Sequence, residues 1–153
     1  MNFIGIDPGK SGAIAIIRED GAVDTAIFSE EAYKHLLKDC GGSSFAVVEQ
    51  VCGFSPPGVK IGSTSIFNFG ANYGWIQGVL FAFGIPYQTV VPRKWKGCFG
   101  LNKDKGLSIQ CAKRLFPNVS LYRTDRCTVA HDGIAEALLM AEYARRLHNG
   151  LIK

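Results

Sequence analysis

Apolar residues fall first in short dense runs and then in longer, interrupted stretches, and the two patterns predict different elements. Phe3-Ile4-Gly5-Ile6-Asp7 is an apolar run closed by an acid, Pro8-Gly9-Lys10-Ser11-Gly12 supplies turn residues, and Ala13-Ile14-Ala15-Ile16-Ile17 resumes β-rich composition. That is strand, tight turn, strand. Asp20-Gly21 marks a hairpin turn into a third strand over 22–28. Ser29 followed by Glu30 and Glu31 opens a helix to about Lys38, which Gly41-Gly42 ends.

Phe45-Ala46-Val47-Val48-Glu49-Gln50-Val51 reads as a buried strand with one acid near its end, followed by a loop over 52–62. Ser63 or Ser65 can cap a long helix reaching about Phe83, in which Gly70, Gly74 and Gly78 recur every fourth residue. The glycines share one stripe, which predicts close packing of that helix against the sheet. A fifth strand spans 87–91 and stops at Pro92. A basic segment, a helix over about 103–116, a loop over about 117–128 and a final helix over about 130–147 complete the order βββαβαβαα. Three antiparallel-capable strands followed by helical crossovers make an α/β fold.

A chain of 153 residues is one domain's worth and can bury roughly 70% of the surface its unfolded form exposes. Its 47% hydrophobic and 20% charged residues describe a globular protein rather than a disordered one. The longest apolar run, around Val79–Ile85, falls short of a membrane span, and the N-terminal residues read as a strand rather than a secretory signal. Five cysteines, odd in number and without a Cys-x-x-Cys pair, predict reduced thiols in a cytoplasmic protein.

The net charge is +4, but between Arg93 and Arg126 nine basic residues face only Asp104 and Asp125. One third of the chain therefore carries the positive field, which suits either a polyanionic partner such as nucleic acid or a solvated basic face.

The acids carry the chemistry. Asp7 and Glu49 interrupt runs that are otherwise apolar, so each needs a partner, and a shared cation is one that two carboxylates can have in common. In His131-Asp132-Gly133-Ile134-Ala135-Glu136, Asp132 and Glu136 are four apart and lie on one helix face, at the edge of the buried stripe. Dipole stabilisation at the helix start accounts for Asp132 alone but not for Glu136. Four carboxylates without a histidine–cysteine cluster suit Mg2+ or Mn2+ better than zinc. Two such ions can activate water and stabilise a leaving oxygen in phosphodiester hydrolysis, and a basic segment beside them argues for a nuclease.

Taken together, Ile4-Gly5-Ile6-Asp7-Pro8-Gly9 with Ser11-Gly12, Val48-Glu49-Gln50-Val51, the segment from Val91-Pro92 to Lys105, and Ala135-Glu136-Ala137-Leu138-Leu139 resemble the RuvC-type Holliday junction resolvases, particularly the small phage-type members. The resemblance spans nearly the whole chain. It implies an RNase H-like fold, a five-stranded mixed sheet flanked by helices, and a homodimer that sets two active sites on a four-way DNA junction. Each site would nick one of two opposed strands, with two Mg2+ (or Mn2+) ions per site. Asp7, Glu49 and Glu136 match the family's acids by position; Lys96 and Lys105 match approximate positions of its basic residues near the scissile phosphate. The departure is at the final helix, where the family commonly spaces its last two acids by three. Gly133 stands there, with Asp132 one residue off, and His131 is open as a ligand, a water activator or a helix cap.

The expected catalytic set is therefore Asp7, Glu49, Asp132, Glu136 and Lys105, the first four also as metal ligands. Lys94, Lys96, Lys103, Lys105, Arg123 and Arg126 are candidates for phosphate contacts, and Phe54 for stacking on an unpaired base or packing under its own loop. Phe67, Phe69, Tyr73 and Trp75 give the long helix more apolar surface than one sheet face needs, which offers a dimer interface or core packing. Other readings are a general RNase H-like nuclease for branched DNA or RNA, a non-catalytic junction-binding protein, and a sugar-kinase-like or actin-like ATPase module. The last needs a second domain around its nucleotide, which 153 residues do not supply.

Overall fold

The computed structural model describes residues 1–9, 11–51 and 62–153. Five strands form one sheet: β1 (Asn2–Ile6), β2 (Ala13–Ile17), β3 (Val23–Ile27), β4 (Ser44–Glu49) and β5 (Tyr87–Val90), in the order β3-β2-β1-β4-β5. β1, β2 and β3 are antiparallel neighbours, whereas β4 runs parallel to β1 and β5 parallel to β4. The mixed five-stranded sheet is the one expected.

Among the described residues five α-helices flank it: α1 (Glu30–Leu37), α2 (Ser63–Ala82), α3 (Pro92–Gly97), α4 (Lys105–Leu115) and α5 (Asp132–His148). Strand alternation divides the core. Ile4, Ile6, Ile14, Ile16, Ala46 and Val48 pack against Tyr33 and Leu37 of α1 and Ile76 and Leu80 of α2. Phe3, Ala13, Ala15, Ile17 and Val47 face α5 on the opposite side.

α5 crosses the sheet so closely that a Cβ on Gly5 would fall inside the contact distance of the Ala137 carbonyl oxygen and the Ala141 amide nitrogen. Glycine at position 5 and alanines at 137 and 141 are what permit that approach. α4 covers the outer side of α5, so every residue from Gly133 to Ala144 is buried. This corrects the amphipathic reading of the last helix: Glu136 sits within a helix buried all round, at 6% exposure, rather than at the edge of a stripe.

Helix starts follow local chemistry. The Ser29 hydroxyl accepts from the Ala32 amide at the head of α1, and the Asp104 carboxylate accepts from the Gly106 amide at the head of α4. At α2 neither Ser63 nor Ser65 is the cap. Gly62 holds that position with no side-chain bond, and Ser63 is already helical. The short α3 was not expected as an element; Pro92 opens it at a position where its missing N–H costs nothing.

The glycine stripe is also corrected. Among the described residues a Cβ on Gly70, Gly74 or Gly78 would meet nothing within 4 Å, so the stripe is turned away from the sheet. Ile76 and Leu80 make the buried contact, while Phe67 (75%) and Phe81 (84%) stand exposed on a helix that carries no charged residue. No helix among the described residues is long and apolar enough to cross a membrane.

Candidate active site

Asp7 stands one residue beyond β1, Glu49 is the last residue of the adjacent parallel strand β4, and Asp132 and Glu136 occupy the first turns of α5. The close packing of α5 on β1 brings the helix start over these strand ends. The Asp7 carboxyl interacts electrostatically with Glu136 and Asp132, and Glu49 with Asp7 and Glu136, so the four predicted acids share one locality.

Their surroundings disfavour so much negative charge. Burial raises the Asp7 carboxyl above its ordinary range; the Gly9 amide, 3.1 Å from its Oδ1, works against this, and repulsion from Glu136 adds to it. Burial likewise pushes Glu49 up to about 7, moderated by an indole hydrogen bond from Trp95 and reinforced by Asp7 and Glu136. Against the cost of its own burial, Asp132 is held below the usual carboxylate range by the Lys105 amine, and the Lys105 ammonium is stabilised in turn by Asp132.

Two lysines supply the cationic balance. Lys105, at the first position of α4, reaches across to Asp132. Lys96, on α3, places Nζ 2.7 Å from Glu136 Oε1, with both side chains largely buried. The Ser108 hydroxyl lies 3.4 Å from the same oxygen. Trp95, fully buried beside Lys96, donates its indole N–H to Glu49 Oε2 at 2.8 Å. Neither Trp95 nor Ser108 was singled out from sequence. The only signal for Trp95 is an aromatic residue among lysines in Arg93-Lys94-Trp95-Lys96, and its partner lies 46 residues away.

Of the remaining candidates, Lys94, Lys103, Arg123 and Arg126 are exposed to solvent. Phe54 lies outside the described residues. His131 caps α5, its Nδ1 accepting from the Ile134 amide at 3.3 Å. The position three before Glu136 has no room for an acid. A Cβ on Gly133 would lie 2.5 Å from the Ser11 carbonyl oxygen, because the turn after β1 is pressed against the helix start. An acid serving this helix end must therefore stand beside Gly133, as Asp132 does.

The donor set fits a divalent cation. It is all oxygen, it gathers carboxylates that repel one another in a buried place, and it draws in two amines as counter-charges. Among the described residues no three acidic, histidine or cysteine side chains already stand in a coordinating arrangement; Glu136 and Asp132 are turned to their lysines.

No protein-family model and no curated protein matches the chain by sequence. Solved structures match it in fold. The chain is similar to the Thermus thermophilus RuvC structure, at 17% identity over 95% of this chain and 96% of that one, with a TM-score of 0.55. It is also similar to T. thermophilus RuvC in complex with Holliday junction substrate, at 12% identity over 98% of this chain and 97% of that one, with a TM-score of 0.57. The likeness runs over nearly the full length of both chains and confirms the RNase H-like architecture expected from the sequence. The chain has the fold of RuvC.

Proposed function

We propose that the protein is a metal-dependent DNA endonuclease that resolves four-way junctions by paired, symmetric nicks. The observation that carries this reading is the meeting of Asp7, Glu49, Asp132 and Glu136 at one end of a sheet whose fold is that of RuvC. A structure of that fold in complex with Holliday junction substrate supports the choice of DNA.

Asp7, Glu49 and Glu136, with Asp132 at the exposed side, would hold Mg2+ or Mn2+, two ions per site, which supply an activated water and stabilise the leaving oxygen of the cleaved phosphodiester. Trp95 keeps the Glu49 carboxylate directed into the site, and the Gly9 amide does the same for Asp7. Lys105, mostly exposed at the head of α4, is the cation best placed to meet a phosphate beside the acids. Lys94, Lys103, Arg123 and Arg126 add exposed positive charge for the DNA backbone, which fixes position without reading sequence.

Paired nicks need two sites, and the exposed, uncharged face of α2 with Phe67, Phe81 and the open glycine stripe supports a homodimer formed there. Purified protein, a mobile four-way junction and Mg2+ provide the test. Nicks at symmetric positions on opposed strands, absent from linear duplex, are expected. Equal cutting of linear duplex would refute junction selectivity and leave a general nuclease, and binding without cutting would leave a junction-binding protein.

A further inference from the structure

We propose that Lys96 is the resident counter-cation of the metal-free site, held on Glu136 until a divalent ion displaces it and frees its amine for the DNA phosphate. This deepens the metal-nuclease reading and rests on it.

Glu136 is a carboxylate buried in the second turn of α5, within the run from Gly133 to Ala144 that is buried all round. A charge in that position requires a partner, and the one it has is Lys96 Nζ at 2.7 Å, with Ser108 Oγ at 3.4 Å. Asp7 and Glu49 add negative charge around it. An ammonium donating to Glu136 Oε1 occupies the oxygen a metal would use, and it repels a doubly charged ion brought to the same carboxylate. The two cations are therefore alternatives.

The lysine is built for exchange. Its amine ends a flexible four-carbon stem, and it rests 5.2 Å from the centroid of the Trp95 ring, whose own position is set by the bond to Glu49. The stem can swing while α3 stays anchored. Lys105 on Asp132 is a looser version of the same pair, with its side chain 66% exposed. The buried pair is the one whose replacement the metal must accomplish. One group thus neutralises an acid before the ion arrives and a phosphate afterwards, which reconciles an expected DNA contact with a side chain that is turned inward.

The test uses the full chain and Mn2+, with binding followed by titration calorimetry and stability by thermal melting in chelator, for wild type, Lys96→Met and Lys96→Gln. Both variants should melt lower than wild type in chelator and bind Mn2+ about ten-fold more tightly. Lower melting with unchanged or weaker Mn2+ binding overturns the proposal and leaves the metal site standing. Wild type that binds no Mn2+ overturns the metal reading and the proposal together. Amine acylation of wild type, read by mass spectrometry, decides the matter if neither variant folds. Lys96 labelling should rise on adding Mn2+ relative to exposed Lys34, and equal labelling with and without the ion overturns the exchange.

Discussion

Replacing Trp95 with phenylalanine removes one hydrogen atom of consequence. The indole N–H donates to Glu49 Oε2 at 2.8 Å, and phenylalanine keeps an aromatic ring in the fully buried slot while losing that donor. A hydrogen bond to a charged group is worth about 1.5–3 kcal/mol, and the smaller ring leaves a void that costs about 1–2 kcal/mol more. The two losses have different signatures. The void lowers stability at every pH, whereas the missing bond acts on Glu49 alone and most strongly when it is ionised. Glu49 already titrates at about 7 because burial and neighbouring acids outweigh the indole's help. Without the indole its pKa should climb by about one to two further units, at 1.36 kcal/mol per unit. Selective 13C labelling of glutamate carboxyls and an NMR titration of metal-free protein measure this directly. A Glu49 resonance that titrates at the same pH in wild type and Trp95→Phe would refute the reasoning, whatever happens to the melting temperature.

Other outcomes follow from the same geometry. Glu49 keeps its proton to about pH 7 in the folded chain but loses it near 4.5 when unfolded, so stability falls as pH rises through that window, by up to about 3 kcal/mol. Asp7 acts in the same direction, while Asp132 and Glu142 are held low and have given their contribution by pH 5. Metal-free protein should melt lower at pH 8 than at pH 5, and Glu49→Gln should flatten the difference; an unchanged slope contradicts the assignment. Gly5→Ala forces a methyl group against the backbone of Ala137 and Ala141 and should cost at least about 1–3 kcal/mol, read as a lower urea midpoint; an unaltered midpoint would show that α5 can move away. Lys105→Ala breaks a mostly exposed pair, so stability should change by less than about 1 kcal/mol while junction nicking falls ten-fold or more. Full nicking by that variant removes Lys105 from the site.

The sheet was legible because its strands are short apolar runs between glycine- and proline-bearing turns, and because Ser29-Glu30-Glu31 announces α1. The acids of the site were legible because carboxylates closing apolar runs are costly without a reason. What escaped the sequence is tertiary. Six residues of α3 are too few to show a helical period, and no local pattern connects Trp95 to Glu49 or Lys96 to Glu136. The glycine stripe of α2 was misread for a related cause, since spacing shows that three glycines share a side but not which side. Gly133 is the instructive case. It looked like a missing ligand, and the structure gives its reason as the turn at Ser11 pressing on the helix start.

If these carboxylates serve DNA cleavage, Asp7 is the acid to change, because burial, the Gly9 amide and the other acids all meet on its carboxyl. Wild type and Asp7→Asn should be compared on one labelled four-way junction in Mg2+, with binding and nicking measured in parallel. The variant should bind the junction as wild type does and produce no nicks. Nicking by Asp7→Asn at the wild-type rate would remove these acids from the reaction.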